Sequence, residues 1–154
     1  SNMHTAYIAI GSNMGDRASL IGLAVDRLRA LPGVESVALS SLHETAPVGG
    51  PAGQDDYLNA AARLQTSLTA HELLECLLEI ERGLGRVRDQ RWSSRLIDLD
   101  LLLYDDAVID EPGLTVPHPR MHQRKFVLGP LIEIGATALH PVLKKTASEL
   151  FQEL

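Results

Sequence analysis

Two aspartates one residue apart in an apolar run, Asp98 and Asp100 within the stretch from Leu96 to Tyr104, are the side chains of this chain best placed to do chemistry. Successive side chains of a strand point to opposite faces, so the two carboxylates share one face. Ile97, Leu99, Leu101 and Leu103 take the other. Cα atoms two apart on a strand are about 6.5–7 Å from each other, and carboxylates at that spacing reach a metal pair about 3.5–4 Å apart. Oxygen-only ligation favours Mg2+, which keeps several waters and shares the phosphates of a substrate. The plainer alternative is a pair of aspartates bridged to nearby arginines on a solvated face.

Arg86, Arg88, Arg91 and Arg95 stand immediately upstream. Each can donate charge-assisted hydrogen bonds, and phosphoryl transfer needs positioning plus positive charge where negative charge shifts. A solvated basic loop is the competing reading, and the neighbouring aspartates tell against it. Trp92, the only tryptophan, falls inside this run and can either close over a nucleotide or pack. Glu81, just ahead of the arginines, can anchor one of them, meet ribose or base groups, or remain a solvated helix-end carboxylate. Tyr57 and Asn59 share a strand face, offering a ring surface and an amide that both donates and accepts. His118 sits between Pro117 and Pro119, suited to a phosphate hydrogen bond, and His122 and Arg124 extend that polar run to Phe126.

The elements that must hold these residues can be read from periodicity. Thr5 to Gly11 reads as a strand that ends in Gly11-Ser12-Asn13-Met14-Gly15, a turn without P-loop spacing. Leu20, Leu23, Ala24, Leu28 and Leu31 mark a helix stopped by Pro32-Gly33. Val34 to His43 reads as a second strand, and the glycine- and proline-rich span from Thr45 to Asp56 as a loop. Tyr57 to Leu68 alternates, with Leu58, Ala60, Ala62 and Leu64 on one face. A capping box, Thr69 to Glu72, opens a second helix that Gly83 and Gly85 end. The aspartate strand follows. This order, βαββαβ, is that of a ferredoxin-like α+β sandwich with helices on one face of a mainly antiparallel sheet. The remaining third should add a short strand near Val108, a loop from Pro112 to Pro119, and helical pieces broken by Pro130 and Pro141.

Composition narrows the function. The chain has 154 residues and a net charge of -6, which points to one soluble domain and away from nucleic acid or an anionic membrane as partner. Arginine supplies 11 of the 14 basic residues, a bias that favours recognition of small anions by its planar fork. The single cysteine, Cys76, lies in a leucine-rich helical pattern and reads as core filler, and no disulfide framework is available. No apolar run approaches the ~18 residues of a membrane span. A cytoplasmic protein is expected, with Ser1-Asn2 as a cloning remnant ahead of Met3.

Taken in order, Ala9-Ile10-Gly11-Ser12-Asn13, Thr45 with Pro47, Asp56-Tyr57-Leu58-Asn59-Ala60, Gly85-Arg86-Val87-Arg88, Arg91-Trp92, Arg95 with Asp98-Leu99-Asp100, and Val116-Pro117-His118 give the chain a specific resemblance over nearly its whole length. It resembles the 6-hydroxymethyl-7,8-dihydropterin pyrophosphokinases of folate biosynthesis. The resemblance implies transfer of pyrophosphate from ATP to the hydroxymethyl group of the reduced pterin, with release of AMP. It implies two Mg2+ ions on Asp98 and Asp100, and catalytic roles for these and for Arg86 and Arg95. Glu81, Arg88, Arg91, Trp92, Thr115, His118 and Arg124 match the nucleotide side. Thr45, Pro47, Val48, Tyr57, Asn59 and Phe126 match the pterin side, with His43 or Trp92 as a second aromatic wall. A monomer acting on these two small molecules is expected. Two rivals remain: a two-metal phosphohydrolase acting on nucleotides, and a ferredoxin-like RNA-binding module, which the negative charge and scarce aromatics disfavour.

Overall fold

In the computed structural model, residues 2–13, 15–46, 56–85 and 97–154 are described. Strands β1 (His4–Ser12), β2 (Val34–Leu39), β3 (His43–Thr45), β4 (Tyr57–Thr66) and β5 (Asp98–Tyr104) form a sheet with the order β2-β4-β1-β5, and β3 pairs with β4 beside β2. Every pairing is antiparallel. Helix α1 (Arg17–Ala30) follows β1 and α2 (Ala70–Gly85) follows β4, so the chain traces the ferredoxin-like βαββαβ path.

Local chemistry accounts for the helix starts. Asp16 caps α1, its carboxylate accepting from the Ser19 N–H at 3.2 Å. The Thr69–Glu72 box is formed in both directions, at 2.8 and 3.1 Å. Ile21, Ala24, Val25 and Leu28 of α1 pack with Leu73, Leu77, Ile80 and Leu84 of α2 on one face of the sheet, against Ile8, Ile10, Ala60, Ala62 and Leu64. Cys76 is half-buried on α2 rather than central to that core.

The tail does more than the sequence suggests. It forms the hairpin β6 (Ile109–Glu111) and β7 (Leu114–Val116), a 3-10 turn (Met121–Gln123), α3 (Lys125–Gly135), the hairpin β8 (Leu139–His140) and β9 (Lys145–Thr146), and α4 (Ala147–Gln152). Val127, Leu128 and Leu131 of α3, with Ala147 and Leu150 of α4, cover the second sheet face against Ala61, Leu102 and Leu103. The two helices of the βαββαβ unit thus gather on one face, as expected, and those of the tail cover the other. Pro130 does not break α3; it is buried inside it, where the packing of its neighbours outweighs one lost helical hydrogen bond. Leu114–Val116, expected as loop, pairs as a strand with β6.

Two other differences concern the site. The strand expected from Val34 to His43 is cut in two after Leu39, because Ser40 turns inward: its N–H donates to the Ala61 carbonyl and its Oγ accepts from the Ala61 N–H, both at 2.9 Å. The ladder between β1 and β5 shifts between Tyr7 and Ile8, which pair with Leu103 and Leu101. Leu102 is the extra residue of a bulge, so Leu103 joins Leu102 in the second core instead of following Ile97, Leu99 and Leu101 into the first.

Candidate active site

The register of the sheet sets out the site. Asp98 pairs with Gly11 on β1, Gly11 with Asn59 on β4, and Asn59 with His43 on β3. Asp100 pairs with Ala9. With strands about 4.8 Å apart, Asp98 and Asn59 stand about 10 Å from each other on one face. At the upper end of that face the second core stops, and a cleft of about 790 Å3 opens.

Its floor is Ala9, Gly11 and Asn59; Asp98 and Asp100 line one side, Thr45, Ala46 and Tyr57 another, and Arg120, Gln123, Arg124, Lys125 and Phe126 a third. Asn59 is buried, and its Nδ2 donates to Thr45 Oγ1 at 2.6 Å, which fixes the amide plane. The other end of that amide, Oδ1, lies over Gly11, where a Cβ would come within 3.2 Å of it. The Arg124 guanidinium lies 5.5 Å from the centre of the Phe126 ring, a stacked pair at the start of α3.

The aspartate strand is an edge strand whose outer side is covered. The Leu99 N–H, between the two aspartates, donates to Glu81 Oε2 at 2.6 Å. The Leu102 carbonyl accepts from the His118 N–H at 2.9 Å. Burial holds the His118 ring below the usual histidine range; Asp100 opposes this, and the Arg124 and Arg120 cations add to it. This favours the neutral ring beside Asp100. Its Nδ1 accepts from the Arg120 N–H at 3.2 Å, so the remaining Nε2 carries the proton.

Of the residues singled out in the sequence, the cleft brings together Thr45, Tyr57, Asn59, Asp98, Asp100, Arg124 and Phe126. Glu81 and His118 lie behind and beside the aspartate strand, and Thr115 is exposed on β7, paired with Asp110. His43 is engaged away from the cleft, its Nε2 against Glu133 of α3. Pro47, Val48, Arg86, Arg88, Arg91, Trp92 and Arg95 lie outside the described residues. Arg120, Gln123 and Lys125 line the cleft without having been singled out. Their signal was the polar run around His118 and Arg124, which a 3-10 turn folds onto the cleft wall.

Among the described residues no group of three or more potential metal-ligating side chains forms. A divalent ion on Asp98 and Asp100 would complete its shell with water and phosphate oxygens. That is the habit of Mg2+, and an all-oxygen pair on an open cleft wall fits it.

Comparison with known proteins identifies the family. Residues 7–136 match the model of the family described as 7,8-dihydro-6-hydroxymethylpterin-pyrophosphokinase. A 2-amino-4-hydroxy-6-hydroxymethyldihydropteridine pyrophosphokinase of Methylorubrum extorquens is 47% identical over 133 residues, 86% of this chain and 84% of that one. The Bacillus subtilis protein of the same name is 48% identical over 129 residues, 84% of this chain and 77% of that one. Among solved structures, wild-type Plasmodium falciparum HPPK-DHPS superposes with a TM-score of 0.76 at 14% identity, covering 99% of this chain. This chain spans 45% of that one, and the likeness speaks for the fold. On the family match and on identities near one half across most of its length, the chain belongs to the 7,8-dihydro-6-hydroxymethylpterin-pyrophosphokinase family.

Proposed function

We propose that the protein transfers pyrophosphate from ATP to the hydroxymethyl group of 6-hydroxymethyl-7,8-dihydropterin, releasing AMP, as a step of folate biosynthesis. One observation carries the reading: a single cleft places a carboxylate pair about 10 Å from a buried, pre-oriented amide, in a chain of this family.

The two ends have different chemistry. At the pterin end, Thr45 fixes Asn59 so that Oδ1 is offered as an acceptor to the N–H edge of a heterocycle. Tyr57 and Phe126 supply ring surfaces on either side of the cleft. At the phosphate end, Asp98 and Asp100 would hold Mg2+, two ions in our reading. Bound there, the metal would neutralise charge on the triphosphate and on the group in flight. Arg124 and Arg120 face the same space and add fixed positive charge, and His118 offers its Nε2–H to a phosphate oxygen. The sequence places Arg86, Arg88, Arg91, Arg95 and Trp92 between α2 and this strand, and we assign them to the nucleotide with Glu81 and Thr115. Pro47 and Val48, next to Thr45, we assign to the pterin.

The reaction is then an in-line displacement. The pterin hydroxyl attacks the β-phosphorus and releases its proton to solvent, the bond from the β-phosphorus to the oxygen bridging to the α-phosphorus breaks, and AMP leaves with that oxygen. The chain's own contribution is to bring the alcohol and the triphosphate together in one orientation. We read the 154 residues as one such unit, because both cores share a single sheet, and as a monomer. Dependence on ATP suits a cytoplasmic setting.

The test is AMP formation from ATP and Mg2+ with and without the reduced pterin. Pterin-dependent AMP is the expected result. Orthophosphate or pyrophosphate released without pterin would instead make the protein a nucleotide phosphohydrolase.

A further inference from the structure

Arg17 is in the first turn of α1, on the sheet face turned away from the cleft. Its guanidinium makes two contacts. Nη2 donates to Glu44 Oε2 at 2.9 Å, and Nη1 donates to the backbone carbonyl of Asp56. Glu44 is the middle residue of β3, and Asp56 is the last residue before β4. The residues that follow them are Thr45 and Tyr57, register partners in the ladder between β3 and β4 and both walls of the cleft. One side chain, three-quarters buried, therefore ties together the two strand ends that carry the pterin-facing residues.

Strand β3 needs such a tie. It is three residues long and, among the described residues, pairs only with β4. Its other end is fastened from α3, where Glu133 accepts from the Ser41 N–H at 2.8 Å and from Ser41 Oγ, and meets His43. Those hydrogen bonds hold the Glu133 carboxyl below its usual range, the Ser41 backbone bond first. Glu133 fixes the start of β3, Asn59 holds Thr45 from β4, and Arg17 fastens its end from the α1 side. Alternation along β3 sends Glu44 to the α1 face and Thr45 to the cleft face, so a pull on one sets the other.

We propose that Arg17 is a positioning residue for the pterin: it touches no substrate, and it sets the separation of Thr45 and Tyr57, and through Thr45 the orientation of Asn59. This rests on the reading of that end of the cleft as the pterin site. A planar fork is suited to the task, because it can meet a carboxylate and a carbonyl at once, which an ammonium on a flexible stem does poorly.

The experiment is a steady-state comparison of wild type, Arg17→Ala, Arg17→Lys and Glu44→Gln, with the KM for pterin and for ATP measured separately and melting followed alongside. For Arg17→Ala the pterin KM should rise about tenfold while the ATP KM and kcat stay within about twofold. Arg17→Lys and Glu44→Gln should fall between it and wild type. A pterin KM within about twofold of wild type for Arg17→Ala, or equal rises in both KM values, overturns the proposal. Should Arg17→Ala fail to fold, Glu44→Gln decides alone, an unchanged pterin KM counting against it. A wild-type protein without pterin-dependent AMP formation would refute the functional reading instead, a result these variants cannot imitate.

Discussion

Glu81 on α2 accepts the backbone N–H of Leu99, the residue between the two aspartates, at 2.6 Å. An edge strand leaves alternate amides unpaired, and this one is taken by a carboxylate from the neighbouring helix. The pair of acidic side chains is thereby held from behind by a third.

Removing that acceptor should loosen the strand. Glu81→Ala is expected to lose about 1–3 kcal/mol of stability and to raise the Mg2+ concentration needed for half-maximal AMP formation. Glu81→Gln keeps an oxygen for the amide and should recover most of both losses. Urea unfolding and a Mg2+ titration of activity measure the two effects; equal behaviour of the two variants would rule out a role through the Leu99 amide.

Asp98→Ala and Asp100→Ala should each reduce turnover by about a thousandfold or more, since charge stabilisation of several kcal/mol is at stake. Asp100 is exposed and its loss opens no cavity, so its melting temperature should remain close to that of wild type. AMP release at saturating Mg2+ is the assay, and near-normal release by either variant would refute the metal assignment.

Gly11 is the floor between the two ends of the cleft. A methyl group there would come within 3.2 Å of Asn59 Oδ1 and push the amide off its line. Gly11→Ala should therefore raise the pterin KM several-fold with the fold intact, and Asn59→Ala, which removes a buried amide, should raise it by about tenfold or more. Kinetics in pterin at fixed ATP separate these from effects on the nucleotide.

A fourth prediction concerns pH. His140 is buried, and its Nδ1 accepts from the N–H groups of Val142 and Leu143 at 3.3 and 3.0 Å. Burial and the nearby His122 keep its ring below the usual histidine range. The unfolded chain then binds more protons than the folded one as pH falls below about 6.5, so stability drops with falling pH in that window. His140→Asn keeps an acceptor and does not titrate. Its melting temperature should fall less between pH 7.5 and 5.5 than that of wild type; His118, shifted the same way, accounts for part of what remains. Identical slopes would exclude His140 as a contributor.

Much of this was legible in the residues. The alternation of Leu58, Ala60, Ala62 and Leu64 against Asn59 and Ala61 gave the orientation of β4 correctly, because one face is buried against the helices and the register cannot slip. The Thr69–Glu72 box could be read because capping is a contact between residues three apart. What escaped was long-range. Nothing near Ser40 in sequence announces that its hydroxyl will meet the Ala61 N–H and divide a strand. Nothing near Arg17 points to Glu44 or Asp56. Pro141 does stand in the break between α3 and α4, whereas Pro130 lies within α3, whose fate is decided by the apolar face it covers. Of the site, type and spacing single out the acidic pair and only suggest the amide; Arg120, Gln123 and Lys125 become neighbours of these only when α3 crosses the sheet.

The bulge at Leu102 divides β5 into two lengths with separate obligations. Above it, Asp98 and Asp100 line the cleft while Leu99 and Leu101 fill the first core; below it, Leu103 fills the second core and Tyr104 the first. Leu103 meets Val127, Leu128 and their neighbours, so a change of volume there falls first on α3. One irregular residue thus lets a single strand carry its acids and Leu103 on the same face while its register to β1 changes between them.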